Sequence, residues 1–546
     1  MNILLIDYDL GDMPGHNIRR VTLDAAGIVP VQRLLEDSSS EGGIFRPDVV
    51  IQMEHIGRRI FLSGLAELSC PKIFWAVDSH LNLYWQRWYG RLFDVVLTPH
   101  KSLFAALPAE WRLKDVRSLA IPGYARQWRP HVGRSRAASF VGRIDQNRLQ
   151  RYRFAQMLEQ RHGVVPCVLP FQEMLDLYND TRILPNESIC REFNFRIMEG
   201  ASCGCCVLTE DIGEDLAVNF EPGSEVLTYK HVLELDDLLS FLAARPGITE
   251  KIGKAAHERV LKNHLHEHRI AGIMGLLPAL AAQTMDHDTA ERVFALACIQ
   301  WARSNPEYEK HLSALGALLG HLPPHPDVQA MRLRLLLESG RLEDARGLLA
   351  RMLEAAGDIP LLDRCGYSLD LDTACAVAAL RLGELPLFLV CFEQQRHRCP
   401  EIPVPQNLFQ ACLAWADMLA GSGRICQPGF HFDPMRHCPE TAFEMTQMAQ
   451  QFIADDESAR QWVQKMALCS DKTPFYHLAL DYKARLSLDA PGDWRPTLDY
   501  AAACLNSFLL DDGLAEAFQA HALARSAGRE DAFAATADPL LLRRIT

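Results

Sequence analysis

The sequence predicts an α/β protein of two doubly wound halves followed by an all-α region, and three observations carry that expectation. Over the first 280 residues, short apolar runs alternate with helical patterns, as in parallel sheets covered on both faces. The stretch IPGYARQWRPHVGRSRAAS at 121–139 breaks the alternation with Pro, Gly and Arg and reads as a linker. From about residue 285 strand signals fade and helical periodicity runs to the end. The expected domains are 1–125, 126–284 and 285–546.

The strands are expected at 2–7 (NILLID), 48–53 (DVVIQM), 72–77 (KIFWAV), 94–99 (DVVLTP), 137–142 (AASFVG), 164–169 (VVPCVL) and 205–209 (CCVLT). Between them, HNIRRVTLDAAG and NRLQRYRFAQMLEQRHG read as amphipathic helices closing on glycine. Each half opens with a strand and a glycine-bearing turn: Gly11 and Gly15 in the first, Gly142 in the second. Two such sheets make a cleft, with ligands at the carboxyl ends of the strands.

In the third region, 327–358 reads as helix, glycine turn, helix, with small Ala345 where paired helices would approach. Further helices are expected within 372–397 and 514–528. The hairpin resembles a tetratricopeptide-type unit, although spacing to similar stretches departs from the 34-residue period of that family.

Composition bounds the function. At 48% hydrophobic and 23% charged, the 546-residue chain is ordinary globular protein, long enough for several cores. A formal charge of -13 argues against a general nucleic-acid binder. No apolar run is long enough to span a bilayer. The start MNILLIDYD reads as a first strand and not as a leader. Sixteen cysteines lack the spacing of a disulfide framework, so reduced thiols in a cytoplasmic protein are expected.

The stretch NFRIMEGASCGCCVLT, 194–209, places one carboxylate, Glu199, inside an apolar helical run that ends at Gly204. An unpaired buried carboxylate is costly, so Glu199 needs a partner. A carboxylate accepts two hydrogen bonds at once and suits the adjacent hydroxyls of a ribose. The helix start at Asn194, after the 188–192 loop, offers backbone N–H groups to a diphosphate. The competing reading is a packing helix whose Glu199 pairs with Arg196.

The run from Asn186 to Ile270 resembles the nucleotide-sugar domain of GT-B glycosyltransferases, of the group-1 type related to spore-maturation glycosyltransferases. Three pieces carry the resemblance: EFNFRIMEGASCGCCVLTE, EDLAVNFEPGSEVLTY, and a helix ending in HLHEHRI. The N-x-R-x-x-E-x-x-x-x-G core falls on Asn194, Arg196, Glu199 and Gly204, and the helix end on His264, His268 and Arg269. The resemblance implies two facing Rossmann-like domains, with Glu199 holding the ribose of the donor and the loop before Asn194 facing diphosphate and sugar. SFVGRIDQNR (139–148) resembles the first strand and turn of that domain, which makes Gly142, Arg143 and Arg148 candidate phosphate contacts. PKIFWAVDSHLN (71–82) resembles the acceptor-side segment, which makes Asp78 and His80 candidate catalytic residues. Many retaining members carry a glutamate eight residues before the helix glutamate. Here Arg191 stands there, and the neighbouring Glu192 is the candidate sugar contact.

The expected function is therefore a cytoplasmic, hexosyltransferase-like enzyme, retaining by the resemblance. It would move a sugar from a nucleotide-sugar donor to an acceptor hydroxyl without a metal or other cofactor. The helical array suggests a macromolecular acceptor or a protein partner. A non-catalytic scaffold is the principal alternative; an epimerase and a phosphorylase are further ones. The D-x-D pairs Asp7/Asp9 and Asp370/Asp372, the Cys203/Cys205/Cys206 cluster, and the mixed His/Cys of 397–438 lack the context of metal sites.

Overall fold

A computed structural model of the chain describes residues 1–7, 15–24, 26–36, 44–145, 148–305, 312–353 and 368–546. Gly11 and Asp9, singled out above, lie outside these residues, as does the end of the 327–358 stretch. The chain forms two compact units, Met1–Arg117 with Ala279–Lys472, and Ser118–Pro278 with Thr473–Thr546.

The first unit contains strands β1 (Asn2–Ile6), β2 (Asn17–Val21), β3 (Gly27–Pro30), β4 (Val49–Met53), β5 (Ile60–Ser63), β6 (Lys72–Trp75), β7 (Val95–Thr98) and β8 (Val116–Ser118). The six-stranded sheet has the order β2-β1-β4-β6-β7-β8, and β3 and β5 form a separate parallel pair. Parallel pairing sets Ile3 opposite Val49, and Ile51 opposite Ile73. The central strands β4, β6 and β7 are buried along their whole length, which is why they are continuous apolar runs.

Helix Ser79–Tyr89 buries Trp85, Trp88 and Tyr89 against the sheet. Tyr89 meets Phe61 and Phe93 edge-on, both at 5.2 Å. Each such buried aromatic contributes about 1.5–3 kcal/mol. The helix His287–Arg303 joins the same core through Val293, Phe294, Leu296 and Ala297. The hairpin expected from sequence is present as helices Pro326–Glu338 and Leu342–Leu353, with Gly340 at φ +71° and Ala345 fully buried. Gly383 turns a second pair, Leu369–Arg381 and Leu385–Gln395.

A buried ion cluster ties the α/β part of this unit to its helices. Glu440 accepts from Arg87 at 2.9 Å and also pairs with Arg303, which holds Glu338 at 2.6 Å. Arg424 bridges Asp370 at 3.0 Å and Glu110 at 2.7 Å. The Arg87 guanidinium lies 3.4 Å from the ring centre of Trp111, whose Nε1 donates to Asp370. The surrounding arginines hold the Glu440 carboxyl well below the usual carboxylate range. Charges buried this deeply persist only when paired and hydrogen-bonded.

The second unit holds β9 (Arg136–Ala138), β10 (Thr181–Pro185), β11 (Cys206–Glu210) and β12 (Leu227–Tyr229), in the parallel order β12-β11-β10-β9. Its core continues into the last helices: Trp494, Leu498, Ala501 and Phe508 pack with Phe140, Phe154 and Tyr229. Phe508, held at φ +61°, meets the Phe154 ring at 5.1 Å.

Several expectations change. HNIRRVTLDAAG does not form a helix; it carries β2, an edge strand whose β-branched Ile18 and Val21 are half-buried, with Arg20 turned to solvent. VVPCVL contributes only an isolated bridge, Val141 to Cys167, because Pro166 removes a donor. The 121–139 stretch packs as part of the second unit. There Arg134 is buried and donates to the carbonyls of Arg129, Thr181 and Cys203. The 285–546 helices do not make one body; they divide at Lys472 and Thr473 between the two units. The apolar faces of Trp494–Asn506 and Leu510–Ser526 complete the core of the second unit.

Candidate active site

Past the end of β10 the chain runs through Asn186–Glu192 into the helix Phe195–Ser202. Asn194 is its N-cap, and its side chain faces the Ile197 N–H at 3.4 Å. The Asn194 amide donates to Asn186 Oδ1 at 3.0 Å and to the Glu187 carbonyl at 3.1 Å. Arg196 donates to the same Asn186 Oδ1 at 2.7 Å and to the Val141 carbonyl at 3.1 Å, with its guanidinium 4.4 Å from the ring centre of Phe140. Asn186 is fixed in turn by Thr209, at 2.9 Å, and by the Tyr229 hydroxyl on its carbonyl, at 2.7 Å.

Glu199 is half-buried on this helix. No hydrogen bond or salt bridge among the described residues engages its carboxylate. Burial pushes its pKa up to about 7, against the pull of the nearby Arg196 charge. The internal pairing weighed from sequence does not form; Arg196 turns its Nε and Nη1 to Val141 and Asn186. Tyr178 is buried in the same place and feels both charges.

The loop before the helix is strained. Cys190 at φ +54° and Arg191 at φ +59° are consecutive non-glycine residues in the left-handed region, a cost of about 1–3 kcal/mol each. Buried contacts hold it in place: Ser188 N–H donates to Glu210 at 2.7 Å, and Arg151 pairs with Glu187 at 2.8 Å. Burial, then the neighbouring Glu187, pushes Glu210 up to about 8. Glu192 is buried and faces the Ile189 N–H at 3.4 Å, whereas exposed Arg191 reaches the Asp211 carbonyl.

Gly142 has a specific steric reason. A Cβ there would lie 2.8 Å from Arg196 Nη2, so the bare backbone makes room for the guanidinium. Arg143 and Arg148 are exposed, the latter at the N-cap of helix Leu149–His162. The structure thus joins Gly142, Asn194 and Arg196 in one network with Glu199 beside it, and leaves Arg143 and Arg148 at the surface. The clustered thiols are packing groups: Cys203 and Cys205 donate to the Leu175 and Tyr178 carbonyls.

In the first unit, Asp78 is the N-cap of helix Ser79–Tyr89 and His80 lies in its buried first turn. The His80 and His100 rings are 5.1 Å apart and edge-on. Thr98, closing β7, ties the two segments, through Ser79 at 3.2 Å and the His100 N–H at 3.1 Å. The sequence reading missed Glu54, Asn186, Glu210 and His100. For Glu54, Glu210 and His100 a signal was present, a polar residue at or just past the carboxyl end of an apolar strand.

Residues 150–275 match a family model described as Glycosyl transferase-like. No curated protein matches the chain. Among solved structures, it is similar to a GtfA/B complex at 10% identity and TM-score 0.30, over 42% of this chain and 57% of that one. Sucrose-phosphate synthase from Thermosynechococcus elongatus aligns at 12% identity and TM-score 0.36, over 51% and 98%. TarM aligns at 10% and 0.30, over 42% and 54%. The chain thus spans little more than half the length of the first of these, and at such scores the likenesses add no weight to the sheets seen directly.

Proposed function

We propose, from the match of residues 150–275 to a glycosyl transferase-like family model, that the protein transfers a sugar from a nucleotide-sugar donor to an acceptor hydroxyl. The single observation that carries the reading is Glu199: a half-buried carboxylate with no hydrogen-bond partner among the described residues, on a helix capped by Asn194. Two adjacent ribose hydroxyls would satisfy both of its oxygens. The start of that helix, with exposed Arg143 and Arg148, would balance the departing diphosphate, the main electrostatic task of the reaction.

In this reading Glu192 and the strained 188–192 loop face the sugar, and Asp78 and His80 serve the acceptor side as candidate proton-transfer groups. Transfer with retention and without a metal belongs to the same proposal. A macromolecular acceptor is supported by an open groove of about 820 Å³ along the helical hairpin, whose mixed lining includes Leu335, Leu348, Arg332, Arg351, Glu343 and Asp344. The test is a transfer assay with a panel of labelled nucleotide sugars. One donor should release its nucleoside diphosphate at a rate that falls at least tenfold in Glu199→Ala. Release from no donor, or equal release by the variant, would end the proposal.

A further inference from the structure

Glu54 stands just beyond the carboxyl end of β4, almost completely buried. Its two oxygens receive four N–H groups. Oε2 accepts from the backbone of Val77 at 2.8 Å, the backbone of Asp78 at 2.9 Å and the side chain of Gln86 at 2.9 Å. Oε1 accepts from Asn82 Nδ2 at 2.8 Å. Asn82 is itself held, its Oδ1 accepting from Trp85 Nε1 at 3.1 Å and from Arg59 at 3.2 Å. One carboxylate thereby joins the end of β6, the turn at Asp78 and two successive turns of the helix that carries His80.

We infer that Glu54 is a positioning residue for transfer, fixing the Asp78–His80 turn from beneath through the Val77 and Asp78 N–H groups. The inference rests on the reading of Asp78 and His80 as acceptor-side groups. Its physical basis is acceptor count: four donors converge on one side chain, and an ionised carboxylate can serve all of them. Hydrogen bonds of that kind, to an ionised acceptor, are short and strong. Once Oε2 carries a proton it becomes a poorer acceptor for the two backbone groups. The acceptor then in reach is Gln86 Oε1, buried with no hydrogen-bond partner among the described residues. Protonation would turn that amide and loosen the backbone pair. The charged groups acting on Glu54 are Asp78, which disfavours its ionisation, and Arg59, which favours it; Tyr84 also lies within range of its charge. Burial is the largest influence and sets the transition at about 7.

The experiment combines amide exchange with steady-state transfer, on the full chain, between pH 5.5 and 8.5. In the wild type, corrected exchange at Val77 and Asp78 should quicken at least fivefold on going below pH 7, relative to Ile51 in β4. The kcat, read at saturating donor, should fall over the same range, whereas any rise in donor KM there follows the protonation of Glu199. Glu54→Gln should show the fast exchange at every pH, with kcat lowered at least tenfold and its acid limb absent; Glu54→Asp should restore part of both. Unchanged exchange in the wild type across the range overturns the inference without any variant. Fast exchange in Glu54→Gln with kcat and pH profile unchanged also overturns it, since the anchor would then be structural alone. A wild type that turns over no nucleotide sugar ends the transfer reading and the catalytic part of this inference with it. The exchange arm, on the same samples, separately decides whether Glu54 holds the turn.

Discussion

Arg196 Nη2 lies 2.8 Å from the point where a side chain at residue 142 would begin, so Gly142 and Arg196 share one space. Arg196 in turn bonds Asn186 and Val141. A methyl group at 142 should displace the guanidinium and break those two contacts, at a cost of about 1–3 kcal/mol for the buried groups left unsatisfied. Gly253→Ala should cost more, because its Cβ would meet the Gly204 carbonyl oxygen at 2.3 Å, and backbone cannot swing aside. Urea denaturation of both variants checks the order.

Glu440 sits among arginines 87, 303 and 334. Removing its charge should destabilise the first unit by about 3–5 kcal/mol, because the guanidinium groups stay buried with less compensation. The sign with pH follows from a folded pKa held below the unfolded one. This carboxylate stabilises above its unfolded value, and the contribution is lost as pH falls through the folded value. Glu440→Gln should therefore differ most from the wild type at neutral pH and converge with it in acid, as read by denaturant midpoints.

Phe508 fills the core of the second unit from a left-handed backbone position, against Phe154 and Tyr229. Phe508→Ala should cost about 3–5 kcal/mol. If the terminal helices were an independent appendage, the variant would leave exchange protection in β10 and β11 unchanged; protection there should instead fall.

Glu210 behaves in the opposite sense to Glu440. Its folded pKa is raised to about 8 by burial and by Glu187. The stability it contributes is complete below its unfolded value and is lost as pH rises through the folded one. The melting temperature of Glu210→Gln relative to wild type should therefore climb between pH 5.5 and 8.5. A flat difference would mean that the residue stays ionised throughout.

Much of the architecture was legible because fully buried parallel strands such as VVIQM and VVLT are β-branched and apolar along most of their length. TRILP, which became β10, was not, since a five-residue strand opening on Thr-Arg carries too little apolar periodicity. HNIRRVTLDAAG misled because an exposed edge strand with two arginines mimics an amphipathic helix. At the site, Glu199 was visible as a charge interrupting an apolar run. Glu54 was marked only by its place just past an apolar strand; its role was hidden, because its partners Asn82 and Gln86 lie 28 and 32 residues further on, and only the fold brings their donors together. The division of the terminal helices was equally hidden: their apolar faces show that they pack, but not on which core.

The most direct test of the central claim is calorimetric titration of UDP, GDP, TDP and ADP into the full chain and into Glu199→Ala, at pH 8 and pH 6. One nucleoside diphosphate should bind the wild type. Its affinity should fall about tenfold in the variant, roughly 1.4 kcal/mol, and should weaken in the wild type at pH 6 as Glu199 takes up its proton below about 7. Binding of none of the four at millimolar concentration, or equal binding by the variant, would contradict the account.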